Sequence, residues 1–353
     1  MHLGACLMMV CATLRAAAPT TEEIEKFAKT RPELDQITWK DPARGAPLAV
    51  RILGASGDSI TVEKTLATGL TLRTIPLSDL AGISFKLTTA ELLLHREAKI
   101  SSIPSLRVLW SSRRATLRLT GSNAAVTGLV LARSLRLSGE PEALDEAGKI
   151  LVQIRNQDPS KINVEHATAE DLTLRFILSQ KSGNLTESDR LAWEITEGPE
   201  NVDGMLLATA FLGERHFSDL KSTEREHPRW MDEDDILPLR QRLYHLTLDF
   251  FLYPSLFHGT SQAEASLGLQ RAAQVHQYTG ANALMKSTLD DLAALYPEST
   301  ATHETAAQLA RLTDREATGK LNEPEPAAKA EIPTNTTPTA PPPPPRRYNI
   351  FGE

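Results

Sequence analysis

The chain has 353 residues, of which 41% are hydrophobic and 24% charged, and its formal net charge at pH 7 is −7. That length and hydrophobic content suit one large folded unit or two smaller ones with ordinary cores, and they exclude a wholly disordered chain and a membrane bundle. A moderately acidic chain is also a poor general binder of nucleic acid or of anionic lipid.

The first 18 residues carry the pattern of an export signal. In MHLGACLMMVCATLRAAAPT, a mostly apolar run leads into Ala16-Ala17-Ala18, and the run is too short to span a bilayer. The positively charged start of such signals is missing, and Pro19 would hinder cleavage at that point. We predict a signal peptide at residues 1–18 and export to the periplasm or cell envelope, with a packed N-terminal helix as the alternative.

The residue types needed for several kinds of chemistry are absent or scattered. Both cysteines, Cys6 and Cys11, lie in the predicted signal, so the mature chain would have no disulfide framework and no thiolate nucleophile. The nine histidines show no i, i+4 pair of the kind that binds a metal on a helix. No nucleophile elbow and no glycine-rich phosphate loop occurs in the sequence. We therefore expect neither a cofactor nor a metal site.

Residues 19–36 indicate a short helical lead-in. Thr20 precedes Glu23 with the spacing of a capping box. Ile24 and Phe27 then lie on one face of the predicted helix. The period changes from helical to strand-like at about residue 37.

Residues 37–86 have the pattern of short strands joined by tight turns. Val50 and Ile52 alternate with their neighbours, GASGD supplies a turn, and Ile60 and Val62 continue after it. Four or five short strands in about fifty residues are typical of a small barrel or a curled sheet.

The stretch ITWKDPARGAPLAVRILGASGDSITVEKTLATGLTLRTIPLSDLAGISF resembles the SH3-like homology domain first described in an actin-patch adaptor and found in many bacterial exported proteins. The resemblance implies a small β-barrel that serves as a binding or structural module and carries no catalytic residues. The positions that carry the resemblance are Trp39, Asp41, Gly45, Val50, Ile52, Gly57, Asp58, Ile60, Val62, Gly69 and the closing segment from Ile75 to Leu80.

Residues 88–315 follow a helical period almost throughout. Apolar residues recur at steps of three and four, and short polar breaks separate the helical stretches. The sequence therefore predicts an α+β fold that is mainly α, in which a helical-hairpin array follows the small β domain. The two clearest stripes are Leu144, Ala147, Leu151 and Ile154, and Met285, Leu289, Leu292 and Tyr296.

The array resembles a tetratricopeptide solenoid. Pro159, Pro228 and Pro297 each close a predicted helix and lie 69 residues apart, about twice the tetratricopeptide period of ~34 residues. The segments LVLARSLRLSGEPEALDEAGKILVQIRNQDP, LLATAFLGERHFSDLKSTEREHP and STLDDLAALYPESTATHETAAQLARL all resemble tetratricopeptide hairpins. The resemblance implies a superhelical scaffold whose concave face binds peptides or another protein.

The segment LRQRLYHLTLDFFLYPSLFHG is the most informative apolar stretch of the array. A helix that is apolar nearly all round is usually buried in the middle of an array, and that is our first interpretation. The alternative is a groove wall that binds a partner, where Pro254 would bend or end the helix and open the groove. The candidate partner-binding residues in this segment are Leu243, Leu246, Phe250, Tyr253 and Phe257.

Basic residues surround Trp110 in SLRVLWSSRRATLRL, namely Arg107, Arg113, Arg114 and Arg118. Basic residues beside an aromatic are also a feature of nucleic-acid binding proteins. Because the chain is acidic overall, we predict that these arginines instead pair with acidic neighbours in the fold.

The C-terminal stretch cannot form a core. Residues 322–347 contain nine prolines and no leucine, valine or aromatic residue. We predict a disordered proline-rich linker at residues 316–347. Tyr348, Ile350 and Phe351 follow it and indicate a linear docking motif at residues 348–353, with a frayed end as the alternative.

These features together predict an exported, non-enzymatic scaffold or adaptor that binds envelope proteins or peptides through a helical-repeat groove and a tethered docking peptide. One alternative is a hydrolase whose acid/base carboxylates come from different helices and meet in a cleft. Another is a glycan-binding module, which would need exposed aromatic residues on the β domain, where Trp39 is the only tryptophan. A closed pocket with converging carboxylates would favour the hydrolase, and an open groove would favour the scaffold.

Overall fold

The structure is a computed structural model that describes residues 34–66, 69–321 and 323. In these ranges a five-stranded antiparallel sheet is followed by eleven α-helices. This confirms the predicted class, α+β and mainly α, with a small N-terminal sheet. The predicted signal peptide at residues 1–18 and residues 324–353 lie outside the described residues.

The sheet has the strand order β4-β3-β2-β1-β5. The first residues of β2 pair with β1 and the later ones with β3, and the β2–β3 register shifts between Ile52 and Gly54. The long strand β2 therefore pairs with two neighbouring strands, and the sheet curls around an apolar core. The strands are β1 (Asp35–Trp39), β2 (Leu48–Ser56), β3 (Ser59–Leu66), β4 (Gly69–Pro76) and β5 (Leu80–Ser84).

The start of β1 corrects one prediction and anchors the sheet. Asp35 and Gln36 are strand residues, not the end of a helical lead-in. The buried carboxylate of Asp35 accepts hydrogen bonds from the backbone N–H groups of Ile52 (3.1 Å) and Lys86 (2.9 Å). These bonds connect β1 to β2 and to the segment that follows β5. They depend on the extended backbone of β1, which places the Asp35 carboxylate between the two segments.

The helices pack as a solenoid of consecutive pairs. From α2 onward each helix contacts the next one along the chain, and each odd-numbered helix also contacts the following odd-numbered helix. No pair of even-numbered helices is in comparable contact, so the odd-numbered helices form one continuous layer and the even-numbered helices form the other. The helices are α1 (Thr89–Arg96), α2 (Ile103–Arg113), α3 (Ala124–Ser138), α4 (Pro141–Gln157), α5 (Lys161–Lys181), α6 (Leu185–Glu197), α7 (Val202–Glu226), α8 (Ile236–Phe257), α9 (Gln262–Tyr278), α10 (Asn282–Leu295) and α11 (Thr300–Ala317).

The two apolar stripes predicted from the sequence are confirmed as core. The stripe on α4 is buried in one cluster with residues of α2 and α3. The stripe that begins on α10 is buried with residues of α9 and α11. Both stripes face neighbouring helices, as steps of three and four residues require.

The hairpin assignment within the repeats needs one correction. The segment LLATAFLGERHFSDLKSTEREHP lies in the single helix α7 and is not a hairpin. Gly213 lies inside this unbroken helix. A Cβ at this position would come within 2.6 Å of the Phe251 ring, so the glycine makes room for that side chain. Pro228 therefore follows the first helix of a pair, whereas Pro159 and Pro297 follow the second. Prolines 69 residues apart therefore do not mark equivalent positions in successive helix pairs.

Three of the arginines around Trp110 pair with acidic residues, as predicted. Arg107 forms a salt bridge with Glu146 (2.5 Å), and Arg113 forms one with Glu91 (2.6 Å). Arg118 binds Asp58 in the turn between β2 and β3. The basic cluster therefore links helices of the array to one another and links the array to the sheet.

The first residues of the predicted linker are folded. Helix α11 continues to Ala317, and Leu321 packs against the core formed by α9, α10 and α11. The Asn282 side-chain amide donates a hydrogen bond to the carbonyl oxygen of Leu321 (3.0 Å). This leucine lies at the edge of the composition shift on which the linker prediction was based. Both its apolar side chain and its backbone carbonyl contact the array.

Candidate partner-binding surface

Helix α8 is buried on one side only. Leu243 and Phe251 pack in a core with residues of α7 and α9, whereas Leu256 and Phe257 are 69% and 68% exposed. The prediction that this helix is buried all round is therefore wrong. The physical reason is that α7 and α9 make the extensive helix contacts of α8, whereas α6, its neighbour in the same layer, reaches it through the Trp193 side chain.

Pro254 lies inside α8 and does not end it. The helix continues for one more turn, to Phe257, where the backbone N–H of His258 bonds to the carbonyl oxygen of Pro254 (2.9 Å). A proline near the C-terminus removes one backbone donor and leaves the last turn intact. That last turn presents Leu256 and Phe257 to solvent.

Four aromatic side chains form a row along the exposed side of α8, and we call it the aromatic row. Trp193 of α6 contacts Phe250 edge to face, with ring centroids 5.5 Å apart. Tyr253 follows one turn later and contacts Phe257, with centroids 4.9 Å apart. The row therefore runs from α6 across to the end of α8, over the gap that separates these two helices.

His216 of α7 lies beneath the row and stacks on Phe250, with ring centroids 5.7 Å apart and an interplanar angle of 9°. Both imidazole nitrogens are buried without a hydrogen-bond partner among the described residues. Burial lowers the pKa of His216, while the nearby charge of Asp219 acts in the opposite direction. The neutral ring is therefore favoured, and the row rests on an apolar floor.

The hydroxyl of Tyr253 is a polar group of the row, in addition to the indole N–H of Trp193. Its partial burial raises the pKa of Tyr253, and the charge of Glu200 adds to this effect. The phenol therefore stays protonated at neutral pH and can both donate and accept a hydrogen bond. Arg215 and Asp189 lie 3.6 Å apart on the adjoining helices α7 and α6 and add charge nearby.

The sequence-predicted site residues fall into three groups. Leu243 is buried in the core and cannot contact a partner without unfolding, so it is removed from the candidate surface. Leu246, Phe250 and Tyr253 are half-buried, and Phe257 is exposed. The remaining candidates, Tyr348, Ile350 and Phe351, lie outside the described residues.

Sequence reasoning missed Trp193 and His216, because each belongs to a different helix from the predicted stripe. One signal was available for Trp193. The buried stripe of α6 contains Leu191 and Ile195, and a tryptophan two positions after Leu191 is about 200° away from it around the helix. A tryptophan off the buried face indicates a surface that is partly covered by something else.

A separate cleft of about 640 Å³ lies between α9, the turn after α10 and the start of α11. Glu298 and Glu304 line it, and both residues are exposed. General-acid carboxyl groups are usually desolvated, so this open cleft lacks the feature that would favour a hydrolase. In the part of the chain that the structure describes, no group of three or more potential ligands could hold a metal ion.

Within the described ranges, none of the helices combines the length and the apolarity needed to cross a bilayer. A scan against protein-family models, a search of curated proteins and a search of solved structures each found no match to this chain.

Proposed function

We propose that this protein is a non-enzymatic scaffold or adaptor that binds a protein or peptide partner on the aromatic row of α8. The observation that carries the proposal is a pair of aromatic contacts one turn apart on the partly exposed side of α8, Trp193 with Phe250 and Tyr253 with Phe257. Contiguous exposed apolar patches of this kind mark interaction sites in folded proteins.

The composition of the surface supports a protein partner. Interface cores are enriched in tryptophan, tyrosine and phenylalanine and are surrounded by a polar rim. Here the rim contains the Arg215–Asp189 pair and the Glu200 carboxylate near Tyr253. A partner that inserts an apolar side chain beside Phe257 and hydrogen-bonds to the Tyr253 hydroxyl would satisfy both parts of this surface.

The remaining parts of the proposal rest on the sequence. Export to the periplasm or cell envelope rests on the apolar segment at residues 1–18. The proposed SH3-like and tetratricopeptide-like identities rest on the resemblances described above. A tethered docking motif at Tyr348, Ile350 and Phe351 rests on the composition of the tail. A hydrolase remains the alternative function, but no cluster of desolvated carboxylates in the described cleft favours it.

The test is site-specific photocrosslinking of the full-length chain in its native cell. Phe257 is replaced by p-benzoylphenylalanine, and Leu93 on α1, which is also exposed, is replaced in a matched control. We expect a discrete protein adduct from position 257 and none of the same mass from position 93. Equal adducts from both positions, or no adduct at position 257, would contradict the proposal.

The captured partner is then measured with the purified full-length chain. Phe257→Asp should weaken binding at least tenfold, because it removes an aromatic anchor and places a charge in the row. Leu93→Asp is the control for an unspecific effect of a new surface charge and should leave the dissociation constant unchanged.

A further inference from the structure

We propose that the cleft between α9 and α11 binds the segment Arg346–Phe351 of the same chain. The inference rests on the proposed function in one respect, that Tyr348, Ile350 and Phe351 form a docking motif. It differs in the receptor, which is the cleft and not the aromatic row. The ligand class is a short peptide with two basic residues followed by aromatic and aliphatic ones.

The size and position of the cleft suit a short peptide. It lies between the first half of α9, the turn Tyr296–Ser299 and the first turns of α11, and its volume is about 640 Å³. Pockets of ~300–1,000 Å³ hold ligands the size of a few side chains. Tyr296 and Ala301 form a buried floor, so the cleft is shaped by the core of the last helices.

The rim of the cleft is apolar on one side. Leu267 of α9 is 46% exposed and Leu295 at the end of α10 is 63% exposed, and Pro297 lies beside them. Part of each leucine side chain is therefore in contact with solvent. A ligand with aromatic or aliphatic side chains would remove this apolar surface from water, which is the main source of affinity in such sites.

The lining of the cleft also contains two acidic residues and no basic one. The acidic residues are Glu298 and Glu304, and none of the thirteen lining residues is a lysine or an arginine. Glu304 accepts a hydrogen bond from the Gln270 side chain (2.9 Å), and neither carboxylate forms a salt bridge with another described residue. Each of these two carboxylates could bind one of two adjacent arginines, because guanidinium groups bind carboxylates with paired hydrogen bonds.

Only one segment of the tail has the complementary chemistry. From residue 324 to residue 353, aromatic side chains occur only at Tyr348 and Phe351, and two arginines stand directly before them. The rest of the tail is rich in proline, alanine and threonine and offers little to an apolar rim. The segment therefore combines the two kinds of side chain, basic and apolar, that the acidic and apolar residues of the lining could bind.

The tether is long enough for the segment to reach the cleft within one chain. The array holds Leu321 beside Asn282, at the start of α10, and the cleft begins at Leu295, at the other end of that helix. A helix of 14 residues is about 20 Å long. Twenty-two residues separate Glu323 from Arg346.

A chain of that length spans about 25 Å on average as a flexible coil and up to about 70 Å as an extended polyproline helix. Both distances exceed the length of α10. Effective concentration is highest when the mean span of a tether matches the distance between two sites, so binding within the chain is favoured over binding between chains. A partner that presents the same basic and aromatic peptide would have to displace the tail.

The experiment uses the full-length chain with Phe351 replaced by p-benzoylphenylalanine, irradiated at low micromolar concentration. We expect an adduct within one chain that maps by mass spectrometry to Leu267, Leu295 or their neighbours in the cleft. The paired substitution Glu298→Lys and Glu304→Lys should lower the yield of this adduct at least tenfold. The matched control is Glu142→Lys with Glu165→Lys, two exposed positions elsewhere on the array, which should leave the yield unchanged.

Three results would overturn the inference: no adduct, adducts only between chains, or an adduct on the aromatic row of α8. Circular dichroism melts of each variant distinguish a lost site from a lost fold. The test of the proposed function uses a crosslinker at position 257 and detects another protein. A negative result there leaves this inference standing, and a negative result here leaves the aromatic row as a partner surface.

Discussion

Arg113 and Glu91 form an ion pair in which both side chains are fully buried, with the guanidinium Nη2 2.6 Å from the carboxylate Oε1. The other carboxylate oxygen of Glu91 accepts the backbone N–H of Thr88 (2.7 Å) and so caps α1. The Arg113 guanidinium lies over the ring of Phe85, 4.6 Å from its centroid. One buried pair therefore connects the exit of the sheet with the first two helices of the array.

Arg113→Met should lower the free energy of unfolding by about 3–5 kcal/mol, because it leaves the Glu91 carboxylate buried without its partner. Urea denaturation of the full-length chain, followed by circular dichroism, measures the change. The double variant Glu91→Leu with Arg113→Met removes both charges and should recover most of the loss. A double variant as unstable as the single one would show that the guanidinium acts through packing on Phe85 and not through the ion pair.

A second buried acid joins three odd-numbered helices. Glu170 of α5 binds the Arg136 guanidinium of α3 and accepts a hydrogen bond from the side chain of Asn201 (3.1 Å), which caps α7. Glu170→Ala should therefore cost about 3–5 kcal/mol of unfolding free energy. The control is Glu187→Ala, which removes an exposed pair with Arg190 and should cost less than about 1 kcal/mol. Equal losses from the two variants would refute the assigned role of the buried network.

Gly268 marks the closest approach of α9 to α8. A Cβ at this position would overlap the backbone carbonyl oxygen of Phe251, which cannot move without distorting α8. Gly268→Ala should destabilise the protein by about 1–3 kcal/mol. Gly148→Ala is a matched control in α4, where the new Cβ would lie 3.6 Å from the Leu174 side chain.

That control should be neutral or stabilising by up to about 1 kcal/mol, since alanine is the better helix former. Thermal melts of the two variants give opposite shifts if the α8–α9 crossing depends on the glycine. A Gly268→Ala variant that melts at or above the wild-type temperature would show that the two helices can move apart at no cost.

Three histidines, the buried His276 and the half-buried His95 and His216, should make the protein less stable in mild acid. Burial lowers the pKa of His95, His216 and His276 below the ordinary value of 6.5; Arg113 also lowers that of His95 while Glu91 raises it. Below pH 6.5 the unfolded chain binds protons that the folded chain does not. Stability therefore falls as pH decreases from 6.5 toward the folded-state pKa values.

His216→Phe should make this dependence shallower, by up to about 1.4 kcal/mol per pH unit, because it removes one titrating group and keeps a ring against Phe250. Urea denaturation at pH 5.0, 6.0 and 7.0 measures the slope. The control is His303→Phe, an exposed position on α11, which should leave the slope unchanged. The prediction fails if His216→Phe and the wild type show the same slope.

Much of the fold was predictable because its signals are local. Apolar residues spaced three and four positions apart identified the core stripes of α4 and α10. Alternating apolar residues between tight turns identified the sheet. The boundary errors at Asp35 and Ala317 arose where a residue's contacts lie far away in sequence. Asp35 is held by Lys86, and the segment after Ala317 is held by Asn282.

The sequence by itself determined where helices and strands form and which faces are apolar, because both depend on neighbours within one or two turns. Only the tertiary structure decided which apolar faces are covered. Leu243 and Phe257 belong to one stripe of one helix, yet Leu243 is buried against α7 and α9, and Phe257 is left in solvent. The difference depends on where α7 and α9 cross α8, which the apolar period of α8 alone does not determine.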